Sequence, residues 1–313
     1  MKTPTARAFP SIVLVAFATL LISALPAAEL RAVRVAQAPR LDGLLDDPVW
    51  QAVPAIDGFR MVEPRPGEDP SERTEARVLY DDHSLYIGIL CFDSEPGRIA
   101  ANSMAHDSGG GGGDYMGYGG YHGSSTSSDD VVRVLLDPFQ DKRNAYLFFV
   151  NPRGARGEGL IYAGSSSLNW DGIWEAKSRR LADGWSTEIR IPFKTISFKP
   201  GLSVWGLNIE RTIARKQETI RLSGTTRDSN FNNPNEAAAM QGIEGIKQGL
   251  GITFRPYGLA SAAKMPGVKL DDSYDGGFDL YKSFTPSLVG VASYNMDFAE
   301  TEVDERRINL TRF

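Results

Sequence analysis

This chain is poor in the residues that most often carry chemistry. It has one cysteine, Cys91, so no disulfide can form within it, and only three histidines, His83, His106 and His122. A nucleophile–histidine pair or a histidine-based metal site has almost nothing to draw on. The HExxH, GxSxG and GxxxxGK[ST] patterns are all missing. After the first thirty residues no apolar run approaches the ~20 residues that a membrane-spanning helix needs. No stretch carries a sustained helical period either. Basic clusters are absent, and acidic residues outnumber basic ones by 39 to 34, which argues against nucleic acid as a partner.

What is present begins with a leader-like segment. Lys2 and Arg7 precede the apolar run "SIVLVAFATLLISAL" (11–25), and "PAA" (26–28) supplies small residues near a cleavage point. Residues 1–28 therefore read as a secretory signal peptide, with an uncleaved anchor as the alternative. Removal would leave 32 basic against 39 acidic residues, a net charge of −7. The protein is expected to be exported, to the periplasm or outer membrane of a Gram-negative bacterium.

Strand signals dominate the rest. "ARVLYDDHSLYIGILCFD" (76–93) reads as two β-runs around a "DDHS" turn, with Cys91 as a buried, inert thiol. "DDVVRVLLDPFQDKRNAYLFFVNPRG" (129–154) and "GIWEAKSRRLADGWSTEIRIPF" (172–193) repeat the design around "DPFQDKRN" and "ADG". Trp185, Thr187, Ile189 and Ile191 share one face of a strand, with Ser186, Glu188 and Arg190 on the other. In "SVWGLNIERTIAR" (203–215), Trp205, Leu207 and Ile209 oppose Val204, Gly206 and Asn208. Short strands and regular turns predict an all-β chain: an antiparallel, jelly-roll-like β-sandwich over residues 31–245. The segment 106–130, almost all Gly, Ser, Tyr and Asp, is expected to be a flexible loop. Its Tyr115, Tyr118 and Tyr121 leave a mobile aromatic lid open as an alternative.

From about residue 246 the pattern changes to longer strands, at 249–264, 276–284 and 286–298. Leu250, Ile252 and Phe254 alternate with Thr253 and Arg255, as in a lipid-facing barrel strand or a soluble edge hairpin. Residues 246–313 are expected to be an incomplete start of a barrel region. Counting back from Phe313, Thr311, Asn309 and Arg307 are polar, while Ile308 and Leu310 fall in the opposite phase. The ending reads as an interrupted design rather than a closing barrel strand, and three open-edged strands cannot span a bilayer alone.

Candidate site residues are few, and no catalytic residue is assigned. Asp171, Glu175 and Glu188 lie near tryptophans and read as surface and turn carboxylates, with a glycosidase-like acid/base pair as the alternative. Turn acids Asp81, Asp82, Asp137 and Asp141 could donate oxygens to a structural Ca²⁺, Asp81 and Asp82 being the chosen metal candidates. Of the five tryptophans, Trp50, Trp185 and Trp205 read as core. "NWDGIW" (169–174) mixes aromatic and polar groups at a loop-to-strand junction. Trp170, Asp171 and Trp174 are therefore the candidate ligand-binding set: an exposed indole covers the apolar face of a sugar while polar neighbours meet its hydroxyls.

Taken together and in order, "PRLDGLLDDPVW" (39–50) and the three hairpins resemble domains similar to family 9 carbohydrate-binding modules over residues 38–245. The resemblance implies a jelly-roll-like sandwich, often with bound calcium, and a carbohydrate partner. Asp42 and Trp50 match the opening motif, where Asp42 would order the "DG" turn and Trp50 would pack in the core. The tail resembles the junction in bacterial outer-membrane proteins of unassigned function, which carry such a sandwich ahead of a large barrel. In that group the Asn-Leu-Thr-Arg-Phe stretch is internal and several hundred residues follow. The functions this leaves open are a glycan-binding module, a glycoside hydrolase or hydrolase-associated domain, and a ligand-free plug or docking domain of an outer-membrane barrel.

Overall fold

In the computed structural model, residues 30–104, 129–162, 165–168, 170–247, 252–263, 271–285 and 288–295 are described. Residues 1–29, which include the expected signal peptide, the glycine-rich stretch at 105–128 and the last residues, including Phe313, lie outside them. The strands are β1 (Val33–Arg34), β2 (Arg60–Glu63), β3 (Thr74–Tyr80), β4 (Ser84–Phe92), β5 (Val131–Asp137), β6 (Asn144–Val150), β7 (Arg156–Tyr162), β8 (Ser165–Ser167), β9 (Glu175–Leu181), β10 (Gly184–Pro192), β11 (Val204–Ile213), β12 (Glu218–Arg221), β13 (Ala238–Gln241), β14 (Ile252–Ala263), β15 (Asp271–Thr285) and β16 (Leu288–Tyr294). A single short helix, α1 (Pro48–Gln51), interrupts the described residues apart from three 3-10 turns. None of the described helices is long and apolar enough to cross a membrane.

Two sheets form the sandwich. One has the order β1-β3-β4-β10-β9, and the other β2-β12-β11-β5-β6-β7-β8 with β13 also paired to β11. All pairings in these sheets are antiparallel except β1 with β3. The three hairpins expected from sequence are the pairs β3–β4, β5–β6 and β9–β10. The turns of the first two are ordered by aspartates in the way short carboxylates order turns generally. Asp81 accepts the His83 and Ser84 amides at 2.7 and 2.8 Å. Asp137 accepts Phe139, Gln140 and Lys142, and Asp141 accepts Arg143 and Asn144.

The period-two alternation puts Ala76, Val78, Ile87, Ile89, Cys91, Trp185, Ile189 and Ile191 from one sheet against Val132, Val134, Phe148, Val150, Trp205, Leu207 and Ile209 from the other. Trp185 and Trp205 are fully buried, and burial pushes the Cys91 thiol up to about 12, so it is inert. Arg211 continues the inward face of β11 and spans the gap between sheets. Its guanidinium donates to the Arg73 carbonyl, to Thr74 Oγ1 and to the Phe92 carbonyl at 2.8–3.1 Å. The runs "VVRVLL" and "AYLFFV" are apolar on both faces because their sheet is covered outside as well. Val131, Leu135, Leu147 and Phe149 pack there with Phe231, and Glu210 takes the Arg133 and Arg221 guanidinia at 2.6–3.0 Å.

The outer face of β10 departs from expectation. Glu188 is not a surface carboxylate: it is fully buried beneath the segment from Asp42 to Trp50. Its Oε2 accepts the Asp42 and Gly43 amides at 2.8 and 2.7 Å, and its Oε1 accepts Trp50 Nε1 at 2.8 Å. Ser186, two residues earlier, donates to the Gly43 carbonyl at 2.5 Å. Gly88 stands opposite Glu188 on β4. A Cβ there would meet Leu45 at 2.6 Å and the Trp50 ring at 3.1 Å, so the bare backbone makes room for this cover. Leu45, Trp50 and Val53 then pack with Leu79 and Tyr86 as a small outer core. Asp42 accepts the Leu44 amide at 3.0 Å, which is the turn role its motif implies. Burial pushes the Glu188 carboxyl above its ordinary range, against the pull of its three donors.

The third sheet, β14-β15-β16, has long strands in simple antiparallel order. Register gathers Ile252, Phe254, Pro256, Tyr274, Phe278, Leu280, Ala292 and Tyr294 on one face. The rings of Phe254, Phe278 and Tyr294 follow one another at 5.2 and 5.7 Å across the three strands. Arg255, Asp279, Tyr281 and Ser293 share the opposite face. Three strands make no closed barrel.

Glu188→Ala leaves three buried donors without an acceptor and should cost about 3 kcal/mol or more of stability. Glu188→Gln should not restore it, because its NH₂ must face at least one N–H donor in either flip. Urea-unfolding midpoints check both; a Gln variant as stable as the parent protein would refute the anchoring role.

Candidate functional site

The loop leading into β9 carries the sequence-predicted ligand set, and the structure separates its members. Trp174 is 2 % exposed and lies in the core, edge-on to Phe148 with ring centres 5.0 Å apart. It is therefore not an exposed ligand platform. Trp174 shares the phase of Ala176, which faces inward from β9, so the strand's alternation directs the indole between the sheets. Arg156 stacks over it at 5.4 Å.

Trp170 is half-buried at the margin of the same core. It leans on Tyr146 at 4.9 Å and on Phe148 at 6.0 Å, tilted to the first and edge-on to the second. Tyr146 is itself held, since its hydroxyl accepts the Ser197 amide at 2.8 Å. Gly172 lies against the six-membered ring of Trp170: a Cβ at that position would come within 2.6 Å. The Gly172 amide donates to Glu158 Oε1 at 3.3 Å, and Thr195 Oγ1 donates to the Ile173 carbonyl at 2.5 Å. The loop is thus pinned from below on both sides of its glycine.

Asp171 stands at the rim, with its side chain 70 % exposed. Arg255 of β14 donates to its backbone carbonyl at 2.9 Å and lies 3.6 Å from its carboxylate. Arg255 is in turn placed over the Tyr281 ring at 5.2 Å. The result is a braced indole with an acid, a guanidinium and the exposed Ile173 at its edge. Glu158 and Arg255 are the residues that sequence reasoning missed. Neither sits in a recognisable motif, and only the pairing of β6 with β7 and the reach of β14 bring them here.

Of the three carboxylates weighed for an acid/base pair, Asp171 stands at the rim and the other two make no pair with each other. Glu175 is exposed on the edge strand and pairs with Arg190 at 3.3 Å, while Glu188 is enclosed with both oxygens engaged. The calcium candidates do not fit a cation either. Both Asp81 oxygens are occupied, Oδ1 by its turn amides and Oδ2 by the Tyr86 hydroxyl at 2.8 Å, and Asp82 pairs with Arg34. Burial pushes Asp81 up, but the His83 amide, the Tyr86 hydroxyl and the Ser84 amide outweigh it and hold its carboxyl below the ordinary range. Among the described residues no group of three or more His, Cys, Asp or Glu side chains is placed to hold a metal ion.

A second constellation lies at the base of the 105–128 stretch. Asp129 accepts the Asn102 amide and side chain at 2.7 and 2.8 Å, the Ser103 amide at 2.8 Å and Asn151 Nδ2 at 3.2 Å. The chain following β4 and the chain starting β5 are therefore joined at Asp129.

No family model matches this sequence, and no curated protein matches it. Among solved structures, the fold is similar to a family 9 carbohydrate-binding module from Caldicellulosiruptor kristjanssonii in complex with cellotriose. That match has TM-score 0.45 and 17 % identity, covering 67 % of this chain and 92 % of the other. A family 9 carbohydrate-binding module from the same organism in complex with glucose gives TM-score 0.43 and 18 % identity, covering 70 % and 96 %. A Bacteroides uniformis protein provisionally described as carbohydrate-binding gives TM-score 0.47 and 12 % identity, covering 68 % and 97 %.

Truncation should separate the two tryptophans of the loop. Trp174→Ala opens a core cavity and should cost about 3–5 kcal/mol. Trp170→Ala, at a position that is only half-buried, should cost about 1–2 kcal/mol. Thermal unfolding of the two variants checks the order; equal losses would contradict the burial difference.

Proposed function

We propose that this protein is an exported, envelope-associated carbohydrate-binding sandwich whose ligand rests on Trp170 with Asp171 at the rim. The observation that carries the reading is the state of Trp170. Trp50, Trp174, Trp185 and Trp205 are consumed by packing, whereas Trp170 keeps part of its surface open on a rigid aromatic support. A pyranose presents an axial C–H face ringed by hydroxyls. A braced indole matches the first, and a carboxylate with a neighbouring guanidinium matches the second. Asp171 and Arg255 supply acceptor and donor at that edge. Support for export comes from Lys2 and Arg7 ahead of the apolar run at 11–25.

A second reading is favoured by a different observation, the apolar face of the third sheet. Ile252 and Phe254 are more than half exposed, and no charged side chain of the described residues breaks that face between Lys282 and Tyr274. This is the dyad of a lipid-facing barrel strand, with Arg255, Asp279, Tyr281 and Ser293 behind it and Val291 as the apolar member of that second face. It supports a sandwich that docks on or plugs an outer-membrane barrel. Because no described strand pairs the outer edges of β14 and β16, lipid contact of this face requires further strands to pair them.

Titration with a broad panel of soluble oligosaccharides, followed by calorimetry and tryptophan fluorescence, tests the first reading. Trp170→Ala should weaken binding of any responding glycan by about tenfold or more. No response across the panel, or undiminished binding by the variant, would remove Trp170 as the platform.

A further inference from the structure

Five cations gather where the turn between β6 and β7 meets the edge strand β9, and the Trp170 platform uses none of them. Residues 151–156, "NPRGAR", and 176–182, "AKSRRLA", carry Arg153, Arg156, Lys177, Arg179 and Arg180 and no acid. The fold brings the two segments together. Ser178 Oγ donates to the Asn151 carbonyl at 3.0 Å, and a Cβ on Gly154 would stand 3.8 Å from the Ser178 amide nitrogen. Strand alternation puts Ser178 and Arg180 on the side of β9 that meets this turn, with Lys177 and Arg179 on the other side. Arg156 lies over Trp174 at 5.4 Å, so the cluster begins beside the loop that carries Trp170.

The cluster is held in place and open. Arg179 Nε donates to the Asp42 carbonyl at 3.0 Å, and Arg180 Nη2 donates to the Ile99 carbonyl at 2.9 Å. Arg153, Lys177, Arg179 and Arg180 are exposed, and none of the five cations is in an ion pair with a described residue. The acids nearby are engaged elsewhere. Arg40 takes Asp42 at 2.7 Å and lies 3.6 and 3.9 Å from Asp46 and Asp47, and Arg190 takes Glu175 at 3.3 Å. Asp183, in the turn after β9, is the exposed acid at the far end. Charge on β9 alone would be ordinary, because charged side chains keep a sheet edge from pairing with another chain. That role asks nothing of Arg153 and Arg156, which come from the opposite sheet, and nothing of sign. In a chain with 39 acidic against 34 basic residues, these two acid-free segments form a local positive field.

We propose that the ligand is an acidic polysaccharide whose uronate carboxylates lie along this arginine-rich seam while one sugar ring rests on Trp170. The inference rests on the carbohydrate reading and adds the ligand's charge to it. A guanidinium meets a carboxylate through two parallel N–H groups, and four of the five cations are arginines. β9 starts at Glu175, one residue past Trp174. A strand advances about 3.3 Å per residue, so Arg179 stands roughly 13 Å along β9 from its start. Only an extended chain of sugars can touch both the platform and the seam.

Calorimetry of the full chain with polygalacturonate, and with the same polymer fully methyl-esterified, tests this. The acid form should bind about tenfold or more tighter in dilute buffer, and the gap should close in about 0.5 M salt. Arg153→Gln combined with Arg180→Gln should weaken binding of the acid form about tenfold and leave the ester unchanged, whereas Lys at both positions should keep most of it. Equal binding of acid and ester overturns the proposal. So does a neutral glycan bound through Trp170 when polygalacturonate and alginate are not, and the carbohydrate reading then stands alone. Tighter association with phosphatidylglycerol vesicles than with either polymer, lost in the same double variant, assigns the seam to lipid phosphate and also overturns it. No response to any polysaccharide removes both readings.

Discussion

A single buried carboxylate organises the front of this molecule. Glu188 sits in the middle of β10, yet its three donors come from residues 138 to 146 positions earlier in the chain. Without it, the opening segment would have two amides and an indole N–H to bury unpaired, each costing about 1–3 kcal/mol. With it, Leu45 and Trp50 are laid across the bare backbone of Gly88 and a second apolar layer forms outside the five-stranded sheet. The central strands β4 and β10 are thereby enclosed on both faces. The inner core, the Arg211 staple and the loop into β9 are all built on strands held in this way.

The contrast between Trp50 and the other buried tryptophans follows from the same constraint. Trp50 Nε1 reaches Glu188, while Trp174, Trp185 and Trp205 have no hydrogen-bond partner for theirs. Those three contribute through area and ring contact, and lose part of that gain to an unsatisfied donor. Trp170 lies between these extremes, half-buried and backed by the Tyr146 and Phe148 rings.

Much of the fold was legible because its signals are local. The "DDHS", "DPFQDKRN" and "ADG" turns and the alternation in β10 and β11 fix hairpins from a few adjacent residues, and the structure places strands where they predict them. The candidate site was only partly legible. Trp170 and Trp174 are four positions apart in one short motif, and nothing local says which of them faces inward. That is decided by where β9 begins and how it pairs with β10. Glu188 looks like any solvent-facing acid in an alternating strand, since its cover comes from far upstream. Asp81 looks like a cation ligand until its turn is drawn, when its oxygens are found capping their own amides. Long-range burial, rather than residue type, separated structural acids from available ones.

The joint beneath residue 129 has a consequence for sequence change. Asp129 binds Asn102 and Ser103 directly, so the residues on either side of 105–128 are held together by their own hydrogen bonds. With loop ends fixed in this way, each doubling of loop length costs only about 0.6 kcal/mol of closure entropy. Insertions and deletions between 104 and 129 should therefore be nearly invisible to folding. This is a position where new sequence can be tried at little risk to the frame, and where a second domain could be grafted without disturbing the core.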